Sequence, residues 1–197
     1  MMIFKEDLEK ELKPIEKLLD VHTIDNLIVA GYLDAPASTK YHGNYIGGLF
    51  VHSCNVTDTL VELTENNNLT WGRKESPYII GMFHDLCKMD QYKTLEEWGD
   101  SNGSEFEVIS AQVKFEYNEE VLYKGHGDKS VILASTYLKL TPEEVACIRY
   151  HMGAFTEKED WKYYNRALTA FPNVLWTHNA DMIATYHLDN IEKGENK

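Results

Sequence analysis

The stretch PYIIGMFHDLCK, residues 77–88, places an imidazole and a carboxylate side by side in an otherwise apolar run. The apolar residues fit a helical period, and Pro77 is a residue that commonly starts a helix. An unpaired carboxylate is costly to bury. Asp85 therefore needs a cation, several hydrogen-bond donors or a metal ion as its partner, with His84 as its neighbour.

Two further apolar stretches carry a histidine or an aspartate in the same way. His52 lies in GGLFVHSCNV, and Asp181 lies in THNADMIATY. Three helices that each offer such a residue are better explained by one shared cation than by separate ion pairs. Imidazole and carboxylate together suit Mn²⁺, Fe²⁺, Co²⁺, Ni²⁺ or Zn²⁺, while the lack of thiolate ligands argues against a structural zinc site. The alternative is an unrelated set of core histidines with satisfied hydrogen bonds.

The rest of the chain indicates a mostly helical protein with a small inserted β-hairpin. TPEEVACIRYHMG has Thr141 as N-cap, Pro142 in the first turn and Glu144 as the partner in a capping box. Apolar residues alternate between about 104 and 124, which predicts the hairpin. Helices are expected over about 5–20, 22–31, 45–65, from Pro77 onward, and over 128–140, 141–153 and 173–188.

Composition limits the possible partners. The chain has 197 residues and a formal net charge of −13, with 43% hydrophobic residues. This charge disfavours long nucleic acids and anionic membranes but permits a small phosphorylated substrate. No apolar run approaches the ~20 residues that cross a bilayer. Three cysteines without a zinc-site spacing suit a reducing compartment. We expect one cytoplasmic domain over residues 1–197, with no membrane partner and an oligomer possible.

The order His52, then His84 with Asp85, then Asp181 resembles the H…HD…D signature of the HD-domain metal-dependent phosphohydrolases. HDLCK resembles that family's HD-x-x-K element. The resemblance covers about residues 33–188. Over this range the chain is similar to small bacterial and prophage HD hydrolases and to the HD domain of YhaM-type exoribonucleases. It is carried by five blocks in order: YHGNYIGGLFVHS, GMFHDLCK, GHGDKSV, IRYHMG and THNADMIATY. It implies an HD-type helical bundle.

The resemblance also implies roles for His126 and His151, which fall between the HD pair and Asp181. In two-metal members of the superfamily, two further histidines in this interval bind a second ion. The six residues would then hold two ions, with Asp85 bridging them. The rival interpretation is one ion, with His126 and His151 binding phosphate or donating a proton. The cofactor is expected to be one or two divalent ions of Mn, Fe, Co, Ni, Zn or Mg.

Basic and aromatic residues complete the candidate site. Lys88 follows Asp85 by three positions, so its ammonium could reach a bound phosphate; the alternative is an exposed surface lysine. Lys129 lies near a helix start, where backbone amides favour phosphate. Tyr41 and His42 are candidate substrate contacts at the entrance.

These residues predict an enzyme that cleaves a phosphoester by metal-activated water. The predicted substrate is a nucleotide or a similar small phosphorylated molecule. Asp85 would position the water, and Lys88 would offset charge on the phosphoryl oxygens. One alternative is a 3′–5′ exonuclease or a (cyclic) nucleotide phosphodiesterase, which the YhaM likeness favours. A further alternative is a non-catalytic nucleotide-binding HD domain.

Overall fold

A computed structural model describes residues 3–41, 43–95 and 113–189. The fold is mostly helical with a two-stranded antiparallel sheet, as the sequence predicted. The helices are α1 (Lys5–Leu12), α2 (Thr23–Val29), α3 (Gly48–Asn67), α4 (Ser76–Phe83), α5 (Lys88–Gln91), α6 (His126–Ala134), α7 (Pro142–Tyr150), α8 (Trp161–Ala170) and α9 (Asn173–Ile183). The strands are β1 (Tyr92–Leu95) and β2 (Lys114–Tyr117), and a π-helix follows α9 over Ala184–Leu188.

Helix α4 lies in the centre of the bundle because it is apolar on nearly every side, which suits a buried helix. It packs against α3 and α7, while α9 packs against both α3 and α7, and α6 packs against α7. Ile79, Ile80 and Phe83 of α4 are fully buried, together with Leu49 and Leu60 of α3. The helices that carry the predicted site residues therefore share one core.

Two glycines allow these helices to approach closely. A Cβ on Gly81 would lie 2.5 Å from the Cα atom of Thr57 on α3. A Cβ on Gly127 would lie 2.0 Å from the carbonyl oxygen of Arg149 on α7. Both contacts are far shorter than a side chain tolerates, so the α3–α4 and α6–α7 crossings each require a residue without a side chain.

The strand pair differs in position from the predicted hairpin. Strand β1 pairs with β2 in a register that joins Tyr92 to Tyr117 and Leu95 to Lys114. Residues 104–112 of the predicted hairpin lie outside the described residues, and Val121 and Tyr123 form no strand. The prediction missed β1 because four residues that continue directly from α5 are too few for a visible alternation.

Several helix ends also differ from the prediction. The first helix stops at Leu12, and Lys13–Leu18, which contains Pro14, forms a 3₁₀-helix. Residues 84–87 form a turn after α4, so His84 and Asp85 lie just beyond the helix rather than inside it. Helix α8 was not predicted.

The predicted start of α7 is confirmed. Thr141 Oγ1 accepts a hydrogen bond from the Glu144 amide, and Glu144 Oε2 accepts one from the Thr141 amide.

The three cysteines form no disulfide, and Cys87 and Cys147 are buried. Among the described helices, none is both long enough and apolar enough to span a bilayer.

Candidate metal centre

His84 and His151 are held in the same way, each at the C-terminal end of a helix. His84 Nδ1 lies 2.8 Å from the carbonyl oxygen of Gly81, and His151 Nδ1 lies 2.7 Å from that of Ile148. The last carbonyls of a helix lack intrahelical partners, and a carbonyl can only accept a hydrogen bond. Nδ1 therefore carries the proton in both neutral rings, which leaves the Nε2 lone pair free to bind a metal ion.

His52, on α3, is held by an aspartate that the sequence analysis did not identify. Its Nδ1 lies 2.8 Å from Asp189 Oδ2, and Asn55 donates a 2.7 Å hydrogen bond to Asp189 Oδ1. Asp189 follows the π-helix, where its amide bonds to the Ala184 carbonyl five residues earlier. The wider π turn brings Asp189 to this face of the bundle, eight residues after Asp181. A carboxylate behind a histidine ligand fixes the ring and its tautomer.

His126, the first residue of α6, has a different support. Its Nδ1 lies 3.1 Å from the sulfur of Cys87. The Cys87 amide in turn donates a hydrogen bond to Ser130 Oγ, one turn along α6. His126 is also the most exposed of the four imidazoles, with a side-chain exposure of 28%. A thiol is both a weak donor and a weak acceptor of hydrogen bonds, so this ring is held less firmly than the other three.

The four imidazoles meet as two pairs. The Nε2 atoms of His52 and His84 are 3.3 Å apart, and those of His126 and His151 are 3.1 Å apart. Two nitrogen lone pairs at this distance repel each other unless a proton or another cation lies between them. Two imidazole nitrogens bound to one transition-metal ion lie about 3.0–3.4 Å apart. Both spacings therefore fit a shared ion.

Asp85 lies between the two pairs and turns one oxygen toward each. Its Oδ2 is 3.5 Å from the Nε2 atoms of both His52 and His84. Its Oδ1 is 2.8 Å from Nε2 of His126 and 3.4 Å from that of His151. Although it is buried, Oδ1 receives no hydrogen bond of regular geometry from any described residue; His126 Nε2 is at hydrogen-bonding distance, but the angles are unfavourable. These atoms form two groups that could each hold a metal ion, with Asp85 common to both.

Asp181, on α9, extends the first group. Its Oδ1 lies 3.3 Å from Nε2 of His52 and also 3.3 Å from the hydroxyl of Thr185. The structure thus brings together the six residues that the sequence analysis selected as ligands. They come from α3, the turn after α4, the start of α6, the end of α7, and α9.

The first imidazole pair combines opposite pKa shifts. Burial lowers the pKa of His84. Burial acts in the same direction on His52, but hydrogen bonds to Asp181 and Asp189 outweigh it and raise the pKa of His52 to about 9. In the metal-free protein at neutral pH, His52 is therefore protonated on both ring nitrogens and positively charged, whereas His84 is neutral.

In the second pair, too, one imidazole has a lowered pKa and the other a raised pKa. Burial lowers the pKa of His126, while for His151 the nearby Asp85 outweighs burial and raises the pKa. Burial alone would raise the pKa of Asp85, but the Lys88 ammonium and the surrounding imidazoles hold it well below its usual range. Asp85 is therefore ionised at neutral pH, as a metal ligand must be.

The cluster opens into a pocket of about 380 Å³. Lys88 lines this pocket and is buried, with its Nζ atom 2.5 Å from Asp85 Oδ2. Tyr41 lines the pocket, whereas His42 lies outside the described residues. Lys129 is buried and pairs with Asp90, so its predicted contact with substrate stays a prediction.

No family model matches the chain, and no curated protein or solved structure matches it either. Sequence reasoning missed Asp189 and Cys87 as supports of the cluster. Asp189 is polar and lies close to Asp181 in sequence, but only the π-helix turns it toward His52.

Proposed function

We propose that this protein is a metal-dependent phosphohydrolase that cleaves a phosphoester of a nucleotide or a similar small phosphorylated substrate. The observation that carries the proposal is the buried Asp85 Oδ1, which receives no regular hydrogen bond from the described residues and lies 2.8 and 3.4 Å from the Nε2 atoms of His126 and His151. The HD-like order of the same residues along the chain supports it. Imidazoles combined with carboxylates favour Mn, Fe, Co, Ni or Zn over Mg.

The fit to metal is a matter of donor chemistry. His52, His84, Asp85 and Asp181 would hold one divalent ion, and Asp85, His126 and His151 would hold a second. When bound, such ions activate water and neutralise charge on a phosphoryl group. A single ion at the first group, with His126 and His151 free to contact substrate, is the simpler variant of the proposal.

The chain's own residues supply the remaining chemistry. Asp85, ionised and directed toward both groups, would orient the attacking water. Lys88 would place a positive charge on the phosphoryl oxygens from the pocket side of Asp85. His126, which lines the pocket, or His151, whose pKa is raised, would donate a proton to the leaving group where it does not bind an ion.

The test is metal analysis combined with a substrate panel. Protein loaded with Mn²⁺ is incubated with mononucleotides, triphosphates, cyclic dinucleotides and short oligonucleotides, and phosphate or product release is measured. We expect metal-dependent hydrolysis of a mononucleotide and none by Asp85→Asn. Cleavage of oligonucleotide ends or cyclic dinucleotides alone would assign a phosphodiesterase instead. Tight metal and nucleotide binding without any turnover would assign a non-catalytic domain.

Variants of the second group decide the number of ions. His126→Ala and His151→Ala should each lower the metal content of the purified protein if two ions bind. If one ion binds, both variants should keep their metal content and lose turnover. Full metal content and full activity in both variants would remove these residues from the site.

A further inference from the structure

The pocket has a second chemical character beyond the metal centre. Four of its lining side chains are aromatic and more than half exposed: Tyr41 (75%), Tyr117 (58%), Phe155 (65%) and Tyr186 (68%). Single exposed aromatic residues are common on protein surfaces. Here they come from separate segments of the chain and converge on one pocket, which is unusual unless the pocket binds an apolar or aromatic group.

Short segments connect two of these aromatic residues, Tyr117 and Phe155, to the candidate metal centre. Helix α5 runs from Lys88 directly into β1 at Tyr92, so the two positions are only about 6 Å apart along the helix axis. Tyr92 is the register partner of Tyr117, and their ring centroids are 5.2 Å apart in an edge-to-face arrangement. Tyr117 is thereby supported by the strand that directly follows the helix of the candidate phosphate-binding lysine.

Phe155 is connected in a similar way on another side of the pocket. It ends a 3₁₀-helix, Gly153–Phe155, that begins two residues after His151. Gly153 has a φ of +56°, and a Cβ there would lie 2.5 Å from the ring of His178. His178 Nδ1 also lies 2.8 Å from the His151 carbonyl oxygen, so this turn is tied to α9. The backbone of the turn that carries Phe155 is therefore held next to the candidate metal centre.

We propose that Tyr117 and Phe155 form a stacking surface for the base of a nucleotide whose phosphate lies at the metal centre. This inference rests on the proposed phosphohydrolase function and adds the feature that selects its substrate. A flat aromatic ring stacks on any base, so the surface selects a nucleotide over a sugar phosphate with little discrimination among bases. Stacking strength gives the larger purine bases a modest advantage.

The experiment compares adenosine 5′-monophosphate with ribose 5-phosphate, which has the same phosphate and sugar but no base. Equilibrium binding and hydrolysis of both compounds are measured with the Mn²⁺-loaded protein. Each stacked ring contributes about a 5- to 100-fold preference for the nucleotide. Tyr117→Ala and Phe155→Ala should each reduce that preference by such a factor, while Tyr117→Phe should retain it.

The matched control is Tyr163→Ala on α8, which removes an aromatic ring of similar exposure (51%) that does not line the pocket. It should keep the wild-type preference. Hydrolysis of both compounds with equal KM would overturn the stacking surface and leave the phosphohydrolase intact. Ring-dependent nucleotide binding without hydrolysis would support the stacking surface and overturn the proposed reaction. Equal weak binding of both compounds by wild type and Tyr117→Ala would overturn the stacking surface.

Discussion

Two buried carboxylates, Glu144 and Asp85, have opposite surroundings. Glu144 is fully buried and accepts two 2.7 Å hydrogen bonds from the guanidinium of Arg73, one on each oxygen. The hydroxyl of Ser76 and the amide of Thr141 each donate a further hydrogen bond, at 2.8 Å. Every partner of Glu144 is a donor, so its charge is fully compensated within the fold.

Asp85 is nearly as buried, but the Nε2 atoms of four imidazoles lie within 3.5 Å of its oxygens, and each of these nitrogens can itself bind a proton or a metal ion. Its Oδ2 pairs with Lys88, whereas its Oδ1 accepts no regular hydrogen bond from the described residues and lies beside imidazole nitrogens. Since Glu144 is buried and fully hydrogen-bonded, burial of a carboxylate does not by itself indicate a functional site. An oxygen without a regular hydrogen bond, surrounded by imidazole nitrogens, does indicate one, because a shared metal ion would satisfy the whole set.

The largest effect should come from Asp85→Asn. Loss of the shared carboxylate charge removes a ligand from both groups, so hydrolysis should fall by more than about 10³-fold. Added Mn²⁺ should also no longer raise the thermal unfolding midpoint, because a ligand stabilises only the state that binds it. A midpoint that still rises with Mn²⁺ in Asp85→Asn would contradict the shared role of this residue.

Glu144→Gln should have the opposite profile. Replacing one partner of a buried ion pair leaves Arg73 without its counter-charge and should lower the free energy of unfolding by about 3–5 kcal/mol. Its folded fraction should still bind the wild-type amount of metal, since Glu144 is not among the cluster residues. Denaturant unfolding and elemental analysis measure the two quantities. A loss of metal from well-folded Glu144→Gln would break the contrast between the two carboxylates.

Lys88→Ala should separate substrate handling from metal binding. A protonated lysine has no lone pair for a metal, so metal content should stay at the wild-type level. Loss of one charge-assisted contact in the transition state should lower kcat/KM by about 10²–10³, or about 3–4 kcal/mol. Lys88→Arg should not restore the rate, because the larger, planar guanidinium of arginine does not occupy the place of the compact lysine ammonium.

The control for Lys88 is Lys93→Ala, which removes an exposed lysine of β1 that pairs with Glu116. It should keep the wild-type kcat/KM. Unchanged kinetics in Lys88→Ala would transfer the phosphate contact to Lys129 or to the metal alone.

The smallest effect concerns pH. The pKa of His52 is raised to about 9 in the metal-free protein, so below that pH a metal ion must displace its proton. Apparent metal affinity should therefore rise by about tenfold per pH unit between pH 7 and 9 for one displaced proton. Calorimetric titration in two buffers of different ionisation enthalpy measures the proton release. Affinity that is independent of pH would show that no imidazole proton is displaced.

Local features were the most predictable. The capping box of Thr141 and Glu144 involves residues three positions apart, and the helical start of α7 follows from that spacing. The helix that leads into His84 and Asp85 was equally visible, because its apolar residues and Pro77 are adjacent in sequence. The pairing of Glu144 with Arg73 was not predicted, since 71 positions separate the two residues.

The amino-acid sequence alone determined the helical character of the chain and the burial of His52 and Asp85. It indicated four candidate metal ligands, His52, His84, Asp85 and Asp181, while His126 and His151 followed from the family resemblance. Helical period and capping act over a few neighbouring residues, so they can be read directly from the sequence. Only the tertiary structure decided that the imidazoles pair as His52 with His84 and His126 with His151, and that Asp189 supports the first pair. These contacts depend on how closely α3, α4, α6 and α7 cross and on the π turn after α9, which the packing of the whole core sets.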